Sequence, residues 1–288
     1  TVYYAAFRGG ETPLKKVCEI CPHHCSIDEG KLGFCRARTN EGGKIVCENY
    51  GKLTSIALDP IEKKPLKRFY SGSFILSVGS YGCNLRCPFC QNCEISMADG
   101  KSAFTEKIMP EELVSMAENL INRGNIGIAY TYNEPLVSYE YVFDCSRLAR
   151  EKGLKNVVVT NGYICEEPLR RLLPYVDAMN IDLKAFSDEF YRKIRGDLET
   201  VKTTILVAAG KCHVEVTTLI IPGENDEEEE MRRLSSWLAS INPEIPLHIT
   251  RFFPRWLMRD REPTPVEKIF RLADIARKKL RFVYEGNI

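Results

Sequence analysis

Cys83, Cys87 and Cys90 are spaced by four and three residues in the run Gly82-Cys83-Asn84-Leu85-Arg86-Cys87-Pro88-Phe89-Cys90, directly after an apolar segment. Thiolates are soft metal ligands. Three of them on one short loop leave a position of a tetrahedral zinc or a cubane iron–sulfur cluster open to a substrate or cofactor. The same residues can also be read as a structural zinc knuckle or as three buried thiols. A second group, Cys18-x2-Cys21-x3-Cys25-x9-Cys35 with His23 and His24 inside it, places four soft ligands close together. It fits a structural zinc site, a second iron–sulfur cluster, or free or paired thiols packing a loop, and spacing does not separate them. Cys93 is a spare thiolate just beyond the first loop and a candidate catalytic residue. Cys47, Cys145, Cys165 and Cys212 read as small apolar residues.

The elements that would position these groups alternate. From Ser73 onward, strands expected near 74 to 79, 126 to 130, 156 to 160, 177 to 183, 213 to 220 and 247 to 252 are separated by helices near 111 to 122, 136 to 152, 166 to 173, 199 to 209, 226 to 240 and 264 to 279. Six βα units predict an α/β fold, a partial (β/α)6 TIM-like barrel over 71–288. Residues 1–70 form a small Cys-rich, loop-rich module. Pro110-Glu111-Glu112 opens one helix, and the acidic run from Asp226 to Glu230 reads as another helix start.

In such a barrel the active site lies at the carboxyl ends of the strands. The first strand delivers the cysteine loop. The second ends in Thr131-Tyr132-Asn133-Glu134-Pro135, where Glu134 can accept from an amino group; the turn alone is also an ordinary loop cap. The third runs into Thr160-Asn161-Gly162, a hydroxyl and an amide fit for ribose or carboxylate. On the fourth, a period of two sends Asn180, Asp182 and Lys184 to the barrel interior, as a ligand clamp or as a mutually satisfied pair. On the fifth, His213, Glu215 and Thr217 share a face, so Glu215 is an interior carboxylate with a candidate catalytic role. His248 on the sixth is a candidate of the same kind or a satisfied core histidine.

The 288 residues suffice for a sizeable core, and 44 % hydrophobic with 27 % charged residues is the balance of a globular protein. With 40 basic against 39 acidic residues the net charge is +1, so no global field draws the chain to nucleic acid or membrane. No apolar run spans a bilayer and no signal peptide follows Thr1, so a cytoplasmic location and no membrane partner are expected. Twelve cysteines clustered on loops argue for metal ligation in a reducing compartment over a disulfide framework. A zinc-binding adaptor or nucleic-acid-binding module, with both cysteine groups structural, is the competing class.

The Cys-x3-Cys-x2-Cys loop, with Phe89 before its third cysteine and Gln91-Asn92 after it, resembles the signature of radical S-adenosylmethionine enzymes. Cys21-Pro22-His23-His24-Cys25, the stretch Asp59 to Leu66, Tyr132-Asn133-Glu134-Pro135 and Tyr284-Glu285-Gly286-Asn287 make most of the chain similar to the radical enzyme of the AmmeMemoRadiSam system, a branch close to activating enzymes of pyruvate formate-lyase and other glycyl radical enzymes. Cys93 stands where that family commonly has Trp. Tyr132-Asn133 replaces the usual Gly-Gly before Glu-Pro, and residues 97–109 are too few for the ferredoxin-like insert of many activases.

The resemblance implies reductive cleavage of S-adenosylmethionine at a 4Fe-4S cluster, giving a 5′-deoxyadenosyl radical for hydrogen abstraction. The substrate would be a protein, RNA or small molecule, and the electron donor a flavodoxin or ferredoxin. Cys83, Cys87 and Cys90 would ligate the cluster; Phe89, Asn133, Glu134, Thr160, Asn161, Asp182, Lys184 and Thr217 would line the nucleoside pocket.

Overall fold

Short β-branched runs separated by helices with one apolar face bury both kinds of surface by forming a parallel sheet with its helices on the outside. The computed structural model describes residues 15–288 and shows this arrangement. Its main sheet runs in chain order: β1 (Ser55–Pro60), β2 (Phe74–Gly79), β3 (Asn125–Tyr130), β4 (Lys155–Thr160), β5 (Ala178–Asp182), β6 (His213–Ile220), β7 (Leu247–Arg251) and β8 (Val283–Gly286). β1 pairs antiparallel with β2, and every later neighbour is parallel. β8 and β1 are the two ends of the sheet, so the barrel is partial.

Six crossover helices return the chain: α1 (Pro110–Asn119), α2 (Tyr139–Glu151), α3 (Glu166–Leu172), α4 (Leu198–Ala209), α5 (Glu228–Ile241) and α6 (Val266–Arg277). Pro110 sits at the first position of α1 with Glu111 and Glu112 in its first turn, and Glu228 to Glu230 open α5, where carboxylates favour the helix dipole. The six expected strands correspond to β2–β7. β1 and β8 extend the sheet beyond them, and a further short helix, Asp188–Lys193, follows β5.

The alternation on β5 is the expected one. Met179 and Ile181 pack into the main core beneath the helices. Ala178, on the opposite face, joins Ile75, Ala129 and Val157 from β2, β3 and β4 in a separate apolar group completed by Ile61, Leu66 and Phe69. The segment between β1 and β2 therefore plugs the lower part of the barrel lumen. Asn180 Nδ2 donates to the Pro65 carbonyl at 2.8 Å and fixes the plug to β5.

Ahead of the sheet the chain is made of small pieces. Lys16–Val17 pairs with Ser26–Ile27 and Arg38–Glu41 with Lys44–Cys47, both antiparallel. Among the described residues, no helix is long and apolar enough to cross a membrane.

Candidate active site

The cysteine loop leaves β2 at Gly79 and is held by backbone from three directions. Cys83 N–H donates to Cys35 O at 3.2 Å, Arg86 N–H to Ile194 O at 2.9 Å, and Leu257 N–H to Pro88 O at 3.0 Å. Gly82 has φ +89, and a Cβ there would stand 2.5 Å from Cys35 O, so only glycine lets the loop approach the amino-terminal module this closely. The Asn133 amide clamps the start of the loop, accepting from Ser80 N–H at 2.9 Å and donating to Gly82 O at 3.0 Å. Arg86 lies over the Phe34 ring at 3.9 Å and donates to Cys83 O at 2.8 Å.

Cys83, Cys87 and Cys90 all line one cleft of about 410 Å3 at the carboxyl ends of the strands. Phe89, Asn133, Glu134, Thr160, Asn161, Asp182, Lys184 and Thr217 line the same cleft, so the structure brings together every residue that the resemblance assigns to cluster or nucleoside. Burial pushes the Cys87 thiol up to about 12 and raises those of Cys83 and Cys90. A thiolate here needs positive charge beside it. Leu85 N–H at 3.4 Å and Asn161 Nδ2 at 3.7 Å already point at Cys83 Sγ. Among the described residues, no three His, Cys, Asp or Glu side chains stand gathered around the position of a single metal ion. The loop thiols converge on a cleft of cofactor size instead. The donor set and the cleft fit an iron–sulfur cluster, which Cys83, Cys87 and Cys90 would hold.

Glu134 is the most constrained group in the cleft. Its carboxylate accepts from Leu136 N–H at 3.0 Å, Thr160 Oγ1 at 2.7 Å and Asn161 N–H at 2.7 Å. Burial nevertheless outweighs these donors and carries its pKa up to about 7. Asn161 ties the end of β4 to the cysteine loop through Asn84 Oδ1 at 2.9 Å. Lys184 Nζ stands 2.9 Å from Asp182 Oδ2, and both remain on the cleft wall. Burial alone would lower the Lys184 pKa, but Asp182 and the Cys87 sulfur hold it above the usual range.

Tyr132, at the place of a usual glycine, adopts a left-handed φ of 71°. Its side chain explains how this is sustained: the hydroxyl donates to Asp59 Oδ2 at 2.7 Å, and Lys64 Nζ lies 4.5 Å from the ring centre. Lys64 also pairs with Asp59 at 2.9 Å. Burial would raise the Asp59 pKa, yet Lys64, Tyr132 and Lys63 hold that carboxyl well below the usual range. Lys63 and Lys64 thus join the cleft from the plug, together with Gln91, Asn92, Thr250 and Asn287. In the sequence the stretch Asp59 to Leu66 carries the resemblance without a site role for either lysine, because their place beside the cleft depends on how the plug folds back into the lumen.

The three candidate catalytic residues are placed elsewhere. Cys93 opens the short helix Cys93–Ser96 and is not on the cleft wall. Glu215 and His248 do face the lumen, but one layer below Thr217 and Thr250. Glu215 there accepts from Lys67 N–H at 3.0 Å and Arg68 N–H at 2.7 Å, with His213 Nε2 at 2.9 Å and His248 Nε2 at 2.6 Å. Burial would raise the Glu215 pKa, but the two histidines and two backbone donors bring it to about 2. This carboxylate anchors the plug and has no capacity left for a substrate.

Known proteins are similar to this chain in sequence and fold. Residues 77–235 match the description of the Radical SAM superfamily. An uncharacterized protein of Methanocaldococcus jannaschii is 43% identical over 275 residues, 94% of this chain and 81% of that protein. The pyruvate formate-lyase-activating enzyme of Clostridium pasteurianum is 27% identical over 163 residues, 56% of this chain and 67% of the enzyme. Among solved structures, Streptococcus suis SuiB bound to S-adenosylmethionine superposes with a TM-score of 0.55 at 12% identity, over 74% of this chain and 52% of SuiB, a likeness of fold. The matched stretch runs from β2 into α5 and contains the cysteine loop, the Glu134 turn and the Asp182–Lys184 pair. On this match and this geometry, the chain belongs to the Radical SAM superfamily.

Proposed function

We propose that this chain binds a 4Fe-4S cluster through Cys83, Cys87 and Cys90 and cleaves S-adenosylmethionine in the cleft above the plug. The carrying observation is that these three thiols and the polar ends of β3, β4, β5 and β6 line one cleft. The family implies the cluster and S-adenosylmethionine; when bound, the cluster supplies the electron that breaks the sulfonium bond and leaves a 5′-deoxyadenosyl radical for hydrogen abstraction. The protein's part is to bind and orient. Glu134 accepts from the amino group of the methionine moiety. Asp182 and Lys184 supply one charge of each sign for hydroxyl and carboxylate groups, and Thr160, Asn161 and Thr217 offer neutral polar contacts. Phe89, buried against Phe190 at a ring separation of 6.0 Å, gives the nucleoside an apolar wall.

Similarity to an activating enzyme favours a protein substrate, a glycine loop of a partner enzyme entering through the gap between β8 and β1. A one-electron donor such as flavodoxin or ferredoxin would feed the site. The cluster assignment is tested with Cys87→Ala: cleavage of S-adenosylmethionine is expected to vanish together with the iron of this loop. Retained turnover in that variant would sink the assignment.

A further inference from the structure

The amino-terminal cysteines are not used by the cleft, yet they meet. Cys18, Cys21, Cys25 and Cys35 line one small void with Arg38 and a few apolar side chains. All four are free thiols. The neighbouring histidines are engaged elsewhere: His23 Nε2 lies 2.8 Å from Asn84 O, while His24 contacts Glu19 at 3.2 Å and Cys165 Sγ at 3.8 Å. The ligand set facing the void is therefore purely sulfur.

Arg38 lines the void with one buried donor unused. The guanidinium is 4% exposed and donates to Glu140 through Nη1 at 2.7 Å and Nη2 at 2.5 Å. Its buried Nε–H has no hydrogen-bond partner. Glu140 balances the charge of the guanidinium, but a buried donor left empty is costly, on the order of 1–3 kcal/mol. A centre of four thiolates carries net negative charge and supplies the missing acceptor. Backbone N–H groups already turn toward the sulfurs: Phe34 N–H donates to Cys25 Sγ at 3.4 Å, and those of His23 and Ala37 serve Cys21 and Cys35. Donors of this kind tune iron–sulfur centres.

We propose that Cys18, Cys21, Cys25 and Cys35 hold a second iron–sulfur cluster. Four sulfurs with no nitrogen or oxygen ligand among them are a donor set that iron–sulfur clusters take. With four protein ligands this cluster is closed to substrate. It sits one hydrogen bond from the active-site loop, through Cys83 N–H to Cys35 O, with Arg86 donating to both Phe34 O and Cys83 O.

The test removes the cleft cysteines, so that it does not depend on the proposed function. The full chain carrying C83A, C87A and C90A is reconstituted anaerobically with iron and sulfide, and metal, acid-labile sulfide and the electron paramagnetic resonance signal after dithionite are measured. About four irons per chain are expected to remain, and to be lost when C18S and C21S are added. No iron, zinc alone, or iron that survives C18S and C21S would overturn the proposal. Should the triple variant fail to fold, C18S and C21S alone are compared with the unaltered chain: a loss of about four irons per chain supports the second cluster, and unchanged iron refutes it.

Discussion

At the scale of single residues, the cleft divides its labour. Asp182 lies on β5 rather than on the cysteine loop, and its ion pair among the described residues is with Lys184. Asp182→Ala is therefore expected to weaken S-adenosylmethionine binding about tenfold, roughly 1.4 kcal/mol, with iron content unchanged in equilibrium binding and metal analysis. Equal loss of iron would contradict that division. Glu134 makes a second prediction. Its pKa near 7 means that the carboxyl is increasingly protonated below that pH in the empty cleft. An ammonium ligand favours the ionised form, so affinity should rise up to about pH 7 and flatten above it. The ligand's own amino group titrates nearby, so the comparison that isolates Glu134 is with Glu134→Gln, which should remove the lower limb. Much of this was legible in sequence, because spacing and strand alternation are local: Cys83, Cys87, Cys90, Glu134, Asp182 and Lys184 are all where the pattern puts them. Tyr132 was not, since its left-handed backbone is sustained by Asp59 and Lys64, far away in the chain.

At the scale of elements, the plug between β1 and β2 sets the floor of the cleft. Leu66 is fully buried among Ile75, Ala129, Val157 and Ala178, so Leu66→Ala should cost about 2–4 kcal/mol in denaturant unfolding. Glu215 holds the same plug by its backbone. Its pKa falls from the usual 4.5 to about 2 in the folded chain, so its stabilisation is complete above about pH 4.5 and is lost as pH falls through 2. The shift corresponds to something on the order of 3 kcal/mol. Glu215→Gln should thus be less stable than the unaltered chain at pH 7, with the gap closing toward pH 2; a gap independent of pH would contradict this role. Sequence periodicity correctly faced Glu215 inward but could not show that residues 61–69 already occupied it. The plug is a tertiary event, and β1, ending at Pro60, and the four-residue β8 carry too little pattern to be read as strands.

At the scale of the whole molecule, the six central βα units follow from periodicity, while the antiparallel β1 couples the amino-terminal residues to the barrel. The sheet stays open between β8 and β1, and the cleft lies above a filled lumen floor. In the proposed reaction this architecture would shelter the reactive intermediate from below and leave a side for the substrate. The central claim is that the chain performs radical cleavage of S-adenosylmethionine. Its most direct test is anaerobic reconstitution with iron and sulfide, reduction with dithionite, addition of S-adenosylmethionine, and assay of 5′-deoxyadenosine beside iron and zinc per chain. The account predicts 5′-deoxyadenosine from iron-loaded protein; zinc as the only bound metal, with no 5′-deoxyadenosine formed, would contradict it.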